Sequence, residues 1–439
     1  MACHESITFL YNGTGAFSFD ALYKLAALRG LGQKMVDMQK AIDQGYKTEY
    51  ASLALVKDVH LLKSIKQLIA EKKKLNPTVI VVIGIGGSAL GAMAIYDALV
   101  KQSCLRSQSP RLYFVQTIDS DHMAAMLELL ENELIAGHAV LINVVTKSGT
   151  TLETVLNFEL IRDLLKKYFP NDYARYIVVT SDAGSALHMS ALHEGCDYLE
   201  IPKSVGGRYS VFSAVGLFPL AFVGIDIDSL VLGAQKIIDR CLSEDIAKNP
   251  AALTALLLCM HYQKGVSIHD TFIFSADLES MGKWYRQLMG ESIGKEFNVR
   301  GERVMVGITP TVSLGTVDLH SVAQLYLGGP KDKFTTFVTV QKSVQEIVTG
   351  SDSFFSYTQN KTFTEIIDAF VQGTHRAYQK QDRPFCTFVL PQKNAFFIGQ
   401  FMQCKMIEMM LLGYLLEVDP FDQPNVESYK QEVKQILQQ

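Results

Sequence analysis

From about residue 78 the chain alternates short runs of apolar, β-branched residues with longer stretches of helical spacing, and this alternation limits the possible folds more than any other feature. Thr78–Ile83, Leu112–Thr117, Ala139–Val145, Tyr176–Thr180 and Asp197–Ile201 read as strands buried on both faces. Among the intervening segments, Leu152–Phe169 sets Ile161, Leu164, Leu165 and Tyr168 at i, i+3, i+4, i+7, the pattern of an amphipathic helix. Such alternation predicts a parallel, doubly wound sheet. A second alternation follows a helical stretch at roughly 228–263. Its strands are expected at Asp270–Phe274, Val304–Ile308, Phe334–Val340 and Pro384–Leu390, with helices at Phe363–Gln379 and Ala395–Leu416. The expected fold class is therefore α/β, with two doubly wound parallel-sheet domains and flanking helices. A helical segment over residues 1–60 is expected to pack on the second domain, with the first domain at 61–227 and the second at 228–439.

A chain of 439 residues is long enough for two such domains. Net charge is −4 and the pI is near 6.2, which argues against a nucleic-acid or membrane partner. A bound phosphate must then be held by local geometry rather than by a broad basic field. Seven cysteines without a CxxC pair point away from disulfides and structural zinc and toward a reducing, cytoplasmic setting. The opening MACHESITFL does not resemble a secretory signal. The uncharged stretch between Arg208 and Asp226 contains Pro219, falls short of the ~20 residues needed to span a bilayer, and reads as a buried core helix.

Six segments carry chemistry. Gly84-Ile85-Gly86-Gly87-Ser88-Ala89-Leu90-Gly91 ends a strand and opens a helix, where glycines admit close backbone approach and helix N–H groups favour an anion. It also satisfies the G-x-G-x-x-A dinucleotide pattern. The next strand-end acid, Asp119, however, stands 28 residues beyond Gly91, where ~20 is expected. Thr146-Lys147-Ser148-Gly149-Thr150-Thr151 sets four hydroxyls around one glycine at the start of a helix, a cradle of neutral donors for a phosphate dianion. Capping the helix needs only one hydroxyl. Gly206-Gly207-Arg208-Tyr209-Ser210 places a lone cation at the mouth of the uncharged helix, either as a surface cap or facing developing negative charge. Gly290-Glu291-Ser292-Ile293-Gly294-Lys295 offers a carboxylate that is either a solvated surface group or a proton-abstracting base. Asp318-Leu319-His320-Ser321 holds a histidine in a polar turn, and Pro424 can start a helix that carries Lys430 two turns on.

As a set, the strings GIGGSALG, TKSGTT, GGRYSVFSAVG, GESIGK, DLHS and GYLLEVDPFDQPNVESYK resemble the glucose-6-phosphate isomerase family, in that family's order from about residue 80 to residue 430. GIGGS and TKSGTT are shared with the wider sugar-isomerase (SIS) superfamily, whereas GGRYS and FDQ…VE..K are specific to the isomerase. The resemblance implies that Thr146, Ser148, Thr150 and Thr151, with the Lys147 backbone, hold the sugar phosphate, and that Gly86, Gly87 and Ser88 line the sugar. It implies Glu291 as the base moving a proton between C2 and C1, Arg208 as the cation stabilising the cis-enediolate, and His320 and Lys430 as the ring-opening groups. Gln423 is then a contact to the sugar chain, and Glu153 falls on a family position without an assigned role. No metal and no cofactor are implied, and the expected assembly is a homodimer in which His320 reaches into the partner's site.

Two positions depart from the family pattern. Thr146 stands where serine is usual and keeps the hydroxyl, and Asn425 stands where glycine is usual. Asparagine tolerates a left-handed backbone, so the turn before Lys430 is expected to survive. The competing readings are a relative acting on mannose 6-phosphate or an amino-sugar phosphate, a nucleotide-dependent dehydrogenase, and a non-catalytic sugar-phosphate sensor. A sensor needs the cradle but not Glu291, His320 and Lys430, whose presence favours the enzyme.

Overall fold

The structure, a computed structural model, describes residues 6–11, 17–100 and 110–439. Twelve strands are found among them: β1 (Thr8–Leu10), β2 (Pro77–Ile83), β3 (Arg111–Val115), β4 (Ala139–Val145), β5 (Ile177–Ser181), β6 (Asp197–Glu200), β7 (Ile268–Ile273), β8 (Lys295–Phe297), β9 (Arg303–Val306), β10 (Thr309–Leu314), β11 (Lys333–Lys342) and β12 (Phe385–Gln392). The chain forms two compact units. One comprises Met38–Lys236 and Asn394–Gln400; the other comprises Met1–Asp37, Ile237–Lys393 and Phe401–Gln439. These limits differ from 60 and 227. Three of the four fall inside the helices Leu31–Ile42, Ile227–Cys241 and Ala395–Leu415, and the fourth just before the last of these, so composition carries no trace of them.

The first unit is built on a five-stranded sheet of order β3-β2-β4-β5-β6, with every pairing parallel. Val79, Val81, Ile83, Val140, Ile142, Val144, Ile177 and Val179 bury one face of the sheet against Phe158, Ile161 and Leu165 of the helix Leu152–Tyr168 and against Met126 and Leu130 of the helix Ser120–Ile135. The uncharged stretch after Arg208 forms the buried helix Ala214–Phe222, as expected from its composition. In sheet order β2 is flanked by β3 and β4, so the chain leaves β2 toward one side and returns on the other. Strands β2 and β4 therefore border a topological switch point, the crevice where open α/β sheets bind ligands.

The second unit has the sheet β1-β12-β11-β7-β10, parallel except for β1. Two expectations are corrected here. The first 60 residues are not all helical, because Thr8–Leu10 pairs antiparallel with β12 as an edge strand. Three residues are too few to show a period. The run Val304–Ile308 is not a sheet strand either: Arg303–Val306 forms an outlying antiparallel hairpin with β8, and Thr309–Leu314 takes the place in the sheet. Val304–Ile308 is the more apolar run, whereas Thr309–Leu314 carries a proline and three hydroxyl residues. Proline is accepted there because β10 is an edge strand and Pro310 is its second residue. The core of this unit includes Phe272, Phe337, Tyr378 and Phe385. It also encloses a fully buried ion pair, Lys405 Nζ to Glu408 Oε2 at 2.7 Å, with the ammonium 4.4 Å from the Phe388 ring and the Tyr285 hydroxyl donating to Glu408.

The helix Ala395–Leu415 is long and apolar enough to cross a membrane, but it is almost wholly buried inside the protein.

Candidate active site

In the first unit, the loops after β2 and β4 flank the switch point, so Gly86–Ser88 and Thr146–Thr151 lie at the carboxyl ends of neighbouring strands. The Thr146 amide continues the sheet by donating to Thr180 O at 3.1 Å, and Lys147 O accepts from the Asp182 amide at 3.1 Å. Gly149 then turns the chain with φ of 72°, and a Cβ there would lie 2.8 Å from the Leu187 nitrogen. Glycine is required on both counts. Thr151 occupies the N-cap of the helix Leu152–Tyr168, yet its side chain makes no cap hydrogen bond. Its hydroxyl lies 2.9 Å from that of Thr146, while Ser148 Oγ accepts from the Thr150 amide at 3.3 Å and from the Thr150 hydroxyl at 3.1 Å. The hydroxyls thus bond to one another rather than serving as a simple cap. Glu153 sits in the first turn of that helix, half-buried.

The loop after β6 meets the loop after β2 backbone to backbone. A Cβ on Gly87 would stand 2.2 Å from the Gly207 carbonyl carbon and 2.6 Å from the Arg208 nitrogen. Ser210 donates to Gly87 O at 3.4 Å and to Gly207 O at 2.7 Å. Arg208, next in the chain, is only 2% exposed and stands 5.4 Å from the Tyr209 ring centroid. The first unit therefore brings the Thr146–Thr151 hydroxyl loop, the glycine loop and the predicted cation to one end of its sheet. Asp119, the acid that a dinucleotide reading requires, instead caps the helix Ser120–Ile135 by accepting from the His122 amide at 2.9 Å.

In the second unit, the helix Glu279–Ile293 runs antiparallel to β10, with Gly282 against Ile273 and Val312 and Gly290 facing Pro310. Nine residues of helix, at 1.5 Å each, set Glu291 about 13 Å from Gly282 along the helix axis, next to Gly290 at the Pro310 end of β10. Glu291 is half-buried and accepts from Gln287 Nε2 at 2.9 Å. Gln287 was missed in the sequence, although its position one helical turn before Glu291 was a usable signal. Its Oε1 is buried without a hydrogen-bond partner. His320 lies beyond the other end of β10, in an exposed turn fastened by Asp318, which accepts from the Leu314 amide at 2.7 Å and from Ser321 at 2.6 Å. Glu291 and His320 thus stand at opposite ends of one sheet.

Gln423 and Lys430 are exposed. Pro424–Val426 forms a single turn leading into the helix Glu427–Leu437, where Lys430 pairs with Glu427 at 2.6 Å. Asn425 is not among the residues of positive φ, so the turn does not need a left-handed backbone. Its side chain donates to Glu296 Oε2 at 2.9 Å.

Comparison with known proteins agrees with the motif reading. The family model described as Phosphoglucose isomerase matches residues 70–439. A glucose-6-phosphate isomerase of Carboxydothermus hydrogenoformans is 35% identical over 368 residues, covering 81% of this chain and 78% of the relative. One from Thermus thermophilus is 32% identical over 380 residues, covering 85% and 86%. Among solved structures, a hypothetical protein of Thermus thermophilus superposes with a TM-score of 0.86 at 29% identity, covering 98% of this chain and 99% of that one. A Chlamydia trachomatis glucose-6-phosphate isomerase shares the fold, with a TM-score of 0.84 at 23% identity over 99% and 89%. The chain belongs to the phosphoglucose isomerase family, the aldose–ketose isomerases of glucose 6-phosphate.

Proposed function

Within the reversible interconversion of glucose 6-phosphate and fructose 6-phosphate, we propose the following division of labour. The hydroxyls of Thr146, Ser148, Thr150 and Thr151, with the Lys147 amide, hold the phosphate, and Gly86, Gly87 and Ser88 line the sugar. His320 and Lys430 open the ring. Glu291 then removes the proton at C2 and returns it at C1, while Arg208 faces the oxygen that turns negative in the enediolate. Gln423 holds the sugar chain. The observation that carries this reading is the loop at the switch point of an open sheet: a helix-start threonine leaves its cap unmade, and the neighbouring glycine loop packs at Gly87 against the backbone of a buried arginine. A coupled assay in both directions tests it. Turnover should persist in EDTA without nucleotide, and activity that needs a restored divalent metal would overturn the scheme.

The same reading extends to a homodimer in the cytoplasm, acting on a small sugar phosphate, with no nucleic-acid or membrane partner. Support for shared sites comes from the second unit, where one sheet separates Glu291 from His320. The segment after β11 also exposes Phe354 at 94% and Tyr357 at 75%, along with Val344 and Ile347. Exposed apolar groups at this density mark association surfaces. They adjoin a cavity of about 900 Å³ lined by Leu319, Ala323, Phe355 and Tyr357, next to the histidine turn. The test is complementation between Glu291→Gln and His320→Ala chains, each inactive alone. If His320 serves the partner, one site of each mixed dimer carries both lesions and the other carries none. Random pairing then returns about a quarter of parental activity. Mixed dimers without activity would place His320 in its own chain's site.

A further inference from the structure

The hairpin Lys295–Val306 contributes little to any core, since Phe297 is 50% exposed and Met305 69%. Its polar contacts outside the hairpin nevertheless include a series along one segment, from Glu417 to Asn425. In the hairpin turn, the Val299 amide donates to Glu417 O at 2.8 Å, and Arg300 pairs with the Glu417 carboxylate at 2.7 Å. At the hairpin's start, the Lys295 ammonium meets Asp422 Oδ1 at 2.7 Å and donates to the Asp422 carbonyl as well. One residue on, Glu296 accepts from Asn425 at 2.9 Å. Lys295 has a side chain only 4% exposed, against 51% for Asp422. The loop cannot lift away without leaving a buried cation short of its acceptors, which is costly.

We propose that this hairpin is a splint that fixes Gln423 and, through the turn Pro424–Val426, the start of the helix bearing Lys430. Lys295 and Asn425 are then positioning residues of the isomerase. The proposal rests on the roles given above to Gln423 and Lys430. Asn425 has a specific place in it. Where a glycine would leave the turn to its backbone alone, this chain adds a side-chain anchor to Glu296. Lys295 follows Glu291 by four residues, so the segment that ends in the base also begins the splint for the ring-opening loop.

The test exchanges donor and acceptor across the Asn425–Glu296 contact. Asn425→Asp sets two carboxylates against each other and should lower kcat/KM about tenfold, whereas Glu296→Gln alone should cost about threefold. The double variant Asn425→Asp/Glu296→Gln restores one donor and one acceptor and should return to within about threefold of the parent. Asp422→Ala should lose about tenfold or more, while Asp422→Asn keeps an acceptor for Lys295 and should retain most activity. A role confined to stability would lower Tm without reversing the kcat loss in the exchanged pair. Gln423→Ala and Lys430→Ala serve as references. If both lose activity while Asn425→Asp and Asp422→Ala do not, the splint is overturned and the site assignment stands. If Asn425→Asp loses activity and Glu296→Gln does not restore it, the contact is not the cause and the splint is again overturned. If Gln423→Ala and Lys430→Ala are both fully active, the assignment itself fails. Should Asp422→Ala not fold, the exposed Asn425–Glu296 exchange decides the question alone.

Discussion

Replacing Gly87 with alanine adds one methyl group at the place where two loops of the first unit meet. That methyl would lie 2.2 Å from the Gly207 carbonyl carbon, 2.4 Å from its oxygen and 2.6 Å from the Arg208 nitrogen. Ordinary carbon–carbon contact is about 3.5–4.0 Å, so the loops must part by about 1 Å or more. All three neighbours are backbone atoms, and no flexible side chain can yield in their stead. The moving segment carries Arg208 and Tyr209, both buried and held by surrounding packing. Overpacking of this kind costs about 1–3 kcal/mol, and displacement of a charge-stabilising group by about 1 Å can cost roughly a hundredfold in rate. Gly207→Ala is the matched control, because its methyl would sit 3.7 Å from Gly87 Cα, an ordinary distance. Coupled-assay kinetics and thermal unfolding on both variants give the comparison. We expect Gly87→Ala to lose about two orders of magnitude in kcat/KM and several degrees in Tm, with Gly207→Ala near the parent in both. If the two variants are indistinguishable, the close approach does not set the position of Arg208.

Glu291→Gln should lower kcat by orders of magnitude with little change in substrate affinity, since a base acts in the transition state; retained exchange of solvent deuterium at C2 would assign the base elsewhere. Thr146→Val removes one partner of the 2.9 Å hydroxyl pair and should raise KM about tenfold with a smaller change in kcat, while Thr146→Ser should match the parent; equal effects in kcat would argue against a phosphate contact. Burial lowers His261 and His375 to about 4 and holds His269 well below its usual range, so below pH 6.5 the unfolded chain takes up protons that the folded chain refuses. Stability is therefore complete above about pH 6.5 and falls toward pH 4, by on the order of 2 kcal/mol at pH 5 for a deeply buried histidine such as His261; denaturant midpoints that do not change from pH 7.5 to pH 5 would refute this. Lys405→Met strands the buried Glu408 and should destabilise the chain by about 3–5 kcal/mol, and Lys405→Met/Glu408→Leu should recover most of it; a single variant as stable as the parent would show that Glu408 needs no cation.

Much of the candidate site was legible as local structure because its elements are close in sequence. A strand, a glycine and a helix start within ten residues of one another leave a readable string, and TKSGTT and GIGGS lie where the strand–helix alternation put them. What escaped was set by contacts distant in sequence. Gly87 and Gly207 are 120 residues apart, and nothing near either one announces that they touch. The β8–β9 hairpin was mistaken for a sheet strand because Val304–Ile308 is apolar. The true edge strand is half-exposed and carries Pro310, so it is the less convincing of the two by composition. Asp119 matches a nucleotide-binding acid in type but not in spacing, and its bond to the His122 amide identifies it as a cap. The unit boundaries are unreadable for a simpler reason, since most of them cut through helices whose sequences are continuous.

Placing Glu291 and His320 at opposite ends of one sheet has a consequence for how such a catalyst behaves when it is scarce. On the proposed roles, a lone folded chain would keep every residue in order and still lack one of the two groups at its site. If the histidine is supplied across a two-fold contact, specific activity falls on dilution, following the dissociation of dimers rather than the unfolding of chains, and it recovers on reconcentration without refolding. Substitutions in the exposed Val344–Tyr357 stretch then register as lost activity before they register as lost structure. In such a design the association surface is under the same selection as the reacting groups, and it can drift only where its partner surface drifts with it.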